Sequence, residues 1–151
     1  MSAEESPVKG WTFEQFSCGQ RMSTPARTLT ETDVVIFAGL SGDYNPLHTD
    51  GEFAARTGFG ERIAHGMLGL SVATGLAARL GFLEGTALAF LGLDWKFRQP
   101  IRFGDTIRLD ITVTRTRANA AMGGGIVTFE VRMRNQRAEI VQKGTWDVLV
   151  Q

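Results

Sequence analysis

The sequence is poor in the residues that identify several common classes of protein. It contains one cysteine, Cys18, which excludes an internal disulfide and fits a reducing, cytoplasmic location. It contains two histidines and no cluster of cysteine with histidine, which argues against a bound zinc ion. We therefore predict a cytoplasmic protein that holds no metal.

An excess of one charge and long apolar runs are also missing. Lysine plus arginine and aspartate plus glutamate each number 16, so the formal net charge is zero. A neutral chain offers no general attraction to nucleic acid or to an anionic membrane. No apolar run is long enough to span a bilayer, and the polar N-terminal stretch MSAEESPVKG has no apolar signal segment. The sequence thus predicts that neither nucleic acid nor a membrane is a partner.

Apolar residues are present in sufficient number for one core. They make up 43% of the 151 residues, which predicts a single folded unit. We expect residues 1–10 to form a flexible N-terminal tail and residues 11–151 to form one domain. The segment WTFEQF, which starts at Trp11, is expected to be either a short strand or part of a segment that covers the core.

Two short helices are predicted in the first half of the chain. Thr30 and Asp33 form a capping-box pattern, apolar residues follow at helical spacing, and Gly42 provides a natural end. A second candidate helix begins at Thr49 and ends at Gly58. A polar loop joins the two predicted helices.

A third helix, AHGMLGLSVATGLAARL, is predicted over residues 64–80. It has no charged residue before its last turn, and apolar residues occur on all sides, which is typical of a buried helix. Three internal glycines, Gly66, Gly69 and Gly75, each cost about 0.5–1 kcal/mol relative to alanine. Close packing of another element against the helix backbone is the expected compensation.

Four strand-like segments follow this helix. They are TALAFLGLDWKFRQP, DTIRLDITVTRTR, GIVTFEVRMRN and AEIVQKGTWDVLV. The second and third alternate strictly between apolar and polar residues, which predicts strands with one buried face. Helices followed by an antiparallel meander predict the α+β class, with the buried helix covering one face of the sheet.

The polar loop SGDYNPLHTD, residues 41–50, holds an acid and a base five positions apart. Pro46 disfavours a continuous helix through the loop, so Asp43 and His48 are not expected to be helical neighbours. An Asn–Pro turn can instead curl the chain back and let the two side chains converge. A carboxylate beside an imidazole can hold and polarise a water molecule.

The loop also precedes the start of the third helix, where backbone N–H groups are unpaired. The N–H of Gly66 is a candidate donor to a substrate carbonyl, and together with the acid–base pair it would suit addition of water beside that carbonyl. A purely structural alternative also fits the residues. In it, Asp43 caps a turn, His48 is an exposed loop histidine and His65 starts the helix.

Three segments resemble the MaoC-like dehydratases, that is, the (R)-specific enoyl-CoA hydratases. They are GDYNPLHTDGEFA, RIAHGMLGLSVATG and DWKFRQPIRFGDTIRLDITVTRTR, and the resemblance covers roughly residues 11–150. It implies a hotdog fold, in which an antiparallel β-sheet wraps around a long central helix. It also implies a homodimer or a larger multiple of dimers, with the acyl chain bound at or near the dimer interface.

The resemblance also implies roles for individual residues. Asp43 and His48 match the catalytic pair, and Asn45 matches the asparagine that keeps the loop in shape. Gly66 falls where a backbone N–H polarises the thioester carbonyl. Thr74 occupies a helix position where some relatives carry serine near the active site. We expect His65, which also belongs to the motif, to be structural.

The implied reaction is reversible hydration of a trans-2-enoyl thioester to an (R)-3-hydroxyacyl thioester, a step of fatty-acid metabolism. No cofactor is expected, because the acyl-CoA is the substrate, and acyl carrier protein is an alternative carrier. Two other functions remain open, a hotdog acyl-CoA thioesterase and a non-catalytic protein that binds acyl thioesters. The helix carries no Asp or Glu from Gly66 to Leu83, unlike the fatty-acid-synthesis dehydratases of this fold.

Overall fold

The computed structural model describes residues 10–151. Residues 1–9 of the predicted tail lie outside the described residues, and Gly10 donates its N–H to the carbonyl of Glu84 at 2.8 Å. The helices and strands, in chain order, are β1 (Arg21–Ser23), β2 (Arg27–Thr28), α1 (Glu31–Ser41), α2 (Pro46–Thr49), α3 (Gly51–Ala55), α4 (Gly66–Ala78), β3 (Ala87–Phe97), β4 (Thr106–Asn119), β5 (Gly124–Arg134) and β6 (Ile140–Val150).

The strands form one antiparallel sheet in the order β1-β4-β5-β6-β3, with β2 also paired to β4. The four predicted long strands are all present, and β4, β5 and β6 form a meander as expected. The prediction that all four strands follow one another in the meander was wrong, because β3 pairs with β6 and lies at an edge of the sheet. The short strands β1 and β2 had no recognisable pattern.

The alternation predicted for β4 and β5 is confirmed. Their apolar residues point into the core and are at most 1% exposed, whereas the intervening polar residues point away from the core. The core-facing set comprises Ile107, Leu109, Ile111 and Val113 on β4, and Val127, Phe129, Val131 and Met133 on β5. Two strands with a strict two-residue period therefore form the wall against which the central helix packs.

The helix α4 lies on the core face of this sheet. Its buried side chains, among them Leu68, Val72 and Leu76, share one apolar cluster with the core residues of β4 and β5. The α+β class and the arrangement of a sheet around a helix are thus confirmed. The helix is shorter at both ends than the predicted range of 64–80, because His65 caps its start and Arg79 its end.

The segment WTFEQF covers one end of the core and is not a strand. Phe13–Gln15 form a short 3-10 helix. Phe16 is buried, and its ring packs at 5.3 Å from Trp11 and at 5.7 Å from Phe129. Within residues 10–151, no helix combines the length and the apolar character needed to cross a membrane.

The helix α1 follows its predicted signals. Thr30 and Asp33 form a reciprocal capping box, and Gly42 ends the helix in the left-handed conformation with φ 76°. The next predicted helix was misplaced. It starts at Gly51, because Asp50 and not Thr49 supplies the capping oxygen, and it ends at Ala55, before Gly58.

Candidate active site

A chain of side-chain to backbone hydrogen bonds shapes the loop between α1 and α2. The hydroxyl of Ser41 accepts the N–H of Asp43 at 3.1 Å, and the carboxylate of Asp43 accepts the N–H of Asn45 at 3.1 Å. The amide oxygen of Asn45 then accepts the N–H of Leu47 at 3.0 Å. These contacts fix successive turns of the backbone. The role in loop shape predicted for Asn45 is consistent with this geometry.

Pro46 starts a helix, contrary to the expectation that it only interrupts one. It occupies the first position of α2, where a missing N–H has no cost, and Asn45 caps the same helix. His48 therefore sits on one turn of helix whose direction is set by the loop before it. Although it has only one turn, this helix directs the imidazole of His48 toward Ile63 and His65.

The imidazole of His48 is held by a backbone carbonyl. Its Nδ1 lies 2.7 Å from the carbonyl oxygen of Ile63. Because a carbonyl only accepts, this contact requires the Nδ1–H tautomer in the neutral ring and leaves the Nε2 lone pair available. A ring nitrogen of His48, a ring nitrogen of His65 and a carboxylate oxygen of Asp43 all lie within 4.8 Å of one another. The structure thus brings together the predicted acid–base pair.

His65 is the residue of this site whose contacts sequence analysis missed. It is 2% exposed, and its Nε2 lies 2.9 Å from the backbone carbonyl oxygen of Asp43. Its ring stacks on that of His48, with 3.9 Å between ring centroids and 30° between the planes. His48 and Asp43 lie 17 and 22 positions before His65 along the chain, so local sequence patterns could not reveal these contacts.

The side chains of Asp43, His48 and His65 are also of the types that bind metal ions, and they lie close enough together to do so. Each imidazole already directs one nitrogen at a backbone carbonyl. The other nitrogen of each ring and the carboxylate of Asp43 are the groups left to bind a proton or another ligand.

A cavity of about 540 Å³ opens beside His48 and the start of α4, and Gly66, Phe97 and Arg98 help to line it. Gly66 is the first residue of α4, where a backbone N–H has no partner within the helix. The space left by its missing side chain is filled by the ring of Phe97, because a Cβ there would lie 2.8 Å from Cε1 of that ring. A side chain at this position would therefore displace the ring of Phe97, and the N–H of Gly66 remains a candidate donor.

Gln142 is a second residue that sequence analysis did not single out. Its side chain is 2% exposed, donates to the carbonyl of Gly66 at 3.0 Å and accepts from the indole of Trp95 at 2.8 Å. The amide thereby ties β6 and β3 to the first turn of α4. A glutamine at a core-facing position of an apolar strand was the available signal.

Thr74 lies away from this cavity. Its hydroxyl donates to the carbonyl of Ser71 at 2.7 Å, within α4. The residue lines a separate cavity of about 470 Å³ with Ala77, Phe90 and Trp146. Within this chain Thr74 does not line the cavity of His48, and its predicted place in the site stays a prediction.

Comparison with known proteins identifies a matching family. The family model described as MaoC like domain matches residues 14–134. The (R)-specific enoyl-CoA hydratase of Rhodospirillum rubrum is 43% identical over 103 residues, which cover 68% of this chain and 69% of that protein. The solved structure of the (R)-hydratase from A. caviae involved in PHA biosynthesis is 30% identical, with a TM-score of 0.78, and covers 91% of this chain and 99% of that one.

A more distant structure bears on the fold. A Mycobacterium tuberculosis protein described as having a double hotdog fold is 22% identical, with a TM-score of 0.84, and the match covers 96% of this chain and 45% of that one. At this identity the likeness concerns architecture only, and it agrees with the helix and sheet described above. The family match spans most of the residues, including the whole polar loop and α4, and the chain belongs to the family of MaoC-like domains.

Proposed function

We propose that this protein catalyses the reversible hydration of trans-2-enoyl-CoA to (R)-3-hydroxyacyl-CoA. The observation that carries the proposal is the position of Asp43 and His48. A side-chain oxygen of Asp43 and a ring nitrogen of His48 lie within 4.8 Å of each other, and His48 lines a cavity at the start of α4. The names of relatives that cover most of this chain, which include (R)-specific enoyl-CoA hydratases, support the same chemistry.

The chemistry follows from the groups around the cavity. A water molecule held between Asp43 and His48 gives a proton to this pair, and its oxygen forms a bond to C3 of the enoyl group. The electrons of the C2=C3 double bond move toward the thioester, whose oxygen becomes negative and accepts the N–H of Gly66. A proton from the pair then reaches C2, which completes the addition of one water without oxidation or reduction.

Crotonyl-CoA provides the direct test. Hydration removes the conjugated double bond and lowers its absorbance without releasing a thiol, whereas hydrolysis of the thioester frees CoA. We expect loss of absorbance, no thiol release, and the (R) product on chiral analysis. Release of CoA at the same rate as the loss of absorbance would instead identify a thioesterase. Binding of crotonyl-CoA with neither loss of absorbance nor release of CoA would identify a non-catalytic protein that binds acyl thioesters.

We further propose that the protein acts as a homodimer or a multiple of dimers, in which β3 lies at the subunit interface. Among the described residues, no strand pairs with the outer edge of β3. Three large apolar residues of this strand are about half exposed although their cross-strand neighbours on β6 are buried. These pairs are Phe90 with Val148, Leu93 with Trp146, and Phe97 with Gln142.

The exposed face of β3 thus continues the core face of the sheet beyond the cover that α4 provides. Phe97 and Phe90 line the two cavities described above, so a partner seated on β3 would close both. This arrangement supports the expectation that the acyl chain binds at or near the dimer interface.

Light scattering tests the assembly. We expect a mass of at least twice the 16.5 kDa of one chain at micromolar concentration. Leu93→Lys should lower the mass toward that of the monomer, because a charge would be buried in the interface. Leu40→Lys is the matched control, since Leu40 is 81% exposed on α1 and should leave the mass unchanged. A wild-type monomer would contradict the proposal.

A further inference from the structure

His65 contacts both members of the proposed catalytic pair, and it does not line the cavity beside His48. We propose that His65 is a positioning residue that holds the backbone of Asp43 and the ring of His48 in the geometry needed for water activation. This inference rests on the proposed roles of Asp43 and His48. It assigns to His65 a part in the rate of the reaction and not in the stability of the fold.

The first contact fixes the residue that bears the carboxylate. The Nε2 of His65 lies 2.9 Å from the carbonyl oxygen of Asp43, which requires the Nε2–H tautomer. Asp43 is exposed and belongs to an irregular loop, whereas His65 is buried at the start of α4. The hydrogen bond therefore links the buried start of the core helix to an exposed loop residue whose side-chain and N–H bonds, to Asn45 and Ser41, stay within the loop.

The second contact fixes the plane of the other catalytic ring. The imidazole of His48 is fastened at Nδ1 by the carbonyl of Ile63, which leaves rotation about that contact as its remaining freedom. Stacking on His65 at 3.9 Å restricts this rotation. The ring of Phe37 lies 4.9 Å from His65 and helps to hold it in place. With both restraints, the Nε2 lone pair of His48 keeps one direction.

The third observation separates this role from a structural one. The Nδ1 of His65 is buried, and no hydrogen-bond partner for it occurs within residues 10–151. A buried acceptor without a partner destabilises the folded state, and an apolar ring of similar size would not carry that penalty. Histidine is therefore not the most stabilising side chain at this position. Its other ring nitrogen, Nε2, is the one that bonds the loop at the carbonyl of Asp43.

Two substitutions divide the contributions of His65. His65→Phe keeps a ring for stacking but removes the N–H, and His65→Gln keeps an amide N–H at about the position of Nε2 but removes the ring. Loss of alignment by about 1 Å can cost about 100-fold in rate. We expect kcat of His65→Phe on crotonyl-CoA to fall by about 10–100-fold with little change in KM, and its melting temperature to stay the same or rise.

We expect His65→Gln to recover a clear part of the lost kcat, because the bond to the carbonyl of Asp43 is restored. If His65→Phe keeps the wild-type kcat, or if both variants lose the same activity together with thermal stability, His65 is structural and the inference is wrong. Asp43→Ala and His48→Ala are measured alongside. Full activity in these two variants would overturn the proposed catalytic pair itself, a result distinct from failure at His65 alone.

Discussion

The two ends of α4 differ in how tightly they are packed. At the first turns, a Cβ on Gly69 would lie 2.3 Å from Nε2 of Gln142 and 2.7 Å from Cδ1 of Ile101. Near the other end, a Cβ on Gly75 would meet no atom within 4 Å, and the exposed Thr74 beside it lines an open cavity. One helix thus combines a rigid start beside the acid–base pair with an open end.

This difference shows that glycine can occur inside a helix for more than one structural reason. The prediction that all three glycines report close packing holds for Gly66 and Gly69 and is wrong for Gly75 within this chain. At the rigid end, the glycines let Phe97 and Gln142 approach the backbone that carries the proposed donor N–H. At the open end, no other part of this chain packs on Gly75 among the described residues.

Among changes in α4, the largest effect is expected at its first residue. Gly66→Pro removes the N–H proposed to stabilise the negative thioester oxygen, and kcat should fall by about 10²–10³-fold. The helix should persist, because proline suits the first helical position. The preceding residue, His65, already has the extended conformation that proline requires, with φ −57° and ψ 135°.

Gly66→Ala is the control for this change, since it adds the same Cβ against Phe97 but keeps the N–H. Phe97 is half exposed and can turn aside, so we expect alanine to retain most of the activity. Equal kcat values for the alanine and proline variants would remove the N–H of Gly66 from the mechanism.

The next effect concerns stability at the rigid end. Gly69→Ala forces its Cβ against Gln142, whose buried amide bonds both Gly66 and Trp95 and has little room to move. Overpacking of this kind should lower the free energy of unfolding by about 1–3 kcal/mol. Chemical denaturation measures it, and a variant as stable as the wild type would show that the first turns of α4 are less tightly packed than described.

A smaller effect of opposite sign is expected at the open end. Gly75→Ala meets no neighbour and replaces glycine inside a helix, so the free energy of unfolding should rise by about 0.5–1 kcal/mol. The same denaturation experiment measures both glycines. A loss of stability at Gly75, or a smaller assembly in light scattering, would mean that a partner packs directly on this turn.

The smallest effect is expected on the outer face of the sheet, opposite the face that packs against α4. Burial raises the pKa of Asp110, but hydrogen bonds from Arg134 and Ser23 and the charges of Arg108 and Arg134 outweigh it and hold the pKa below its ordinary value of 3.8. A lowered pKa means that the stabilisation is present above the ordinary value and is lost as the pH falls through the folded-state value.

Asp110→Asn should therefore lower the free energy of unfolding at neutral pH by less than about 1 kcal/mol, because the pair is partly exposed. The difference from the wild type should vanish in acid below the folded-state pKa, and kcat should stay unchanged. Unfolding curves at neutral and acidic pH check this, and an altered kcat would show that the outer face communicates with the site.

Local patterns predicted the elements of this fold better than their arrangement. The two-residue period of β4 and β5 fixed their buried faces, and Thr30, Asp33 and Gly42 marked both ends of α1. The position of β3 beside β6 could not be predicted, because pairing order depends on the whole sheet and leaves no trace in a single strand.

The candidate site shows the same division. Asp43, His48 and Asn45 lie within one loop, and their type and spacing were enough to single them out. The stacking of His65 on His48 and the bond from Gln142 to Gly66 join residues far apart in the chain. Such contacts follow from tertiary packing, so sequence patterns assigned His65 a structural place and overlooked Gln142.

The most direct test of the account is turnover of crotonyl-CoA by the wild type, Asp43→Ala, His48→Ala and the double variant, with thermal unfolding of all four. If both residues act on one water, each single change should lower kcat by about 10²–10⁴-fold. The double variant should be scarcely slower than the slower single variant, with little change in melting temperature. Rate losses that multiply fully in the double variant would contradict the shared water, and near-normal turnover with reduced stability would contradict the catalytic role of both residues.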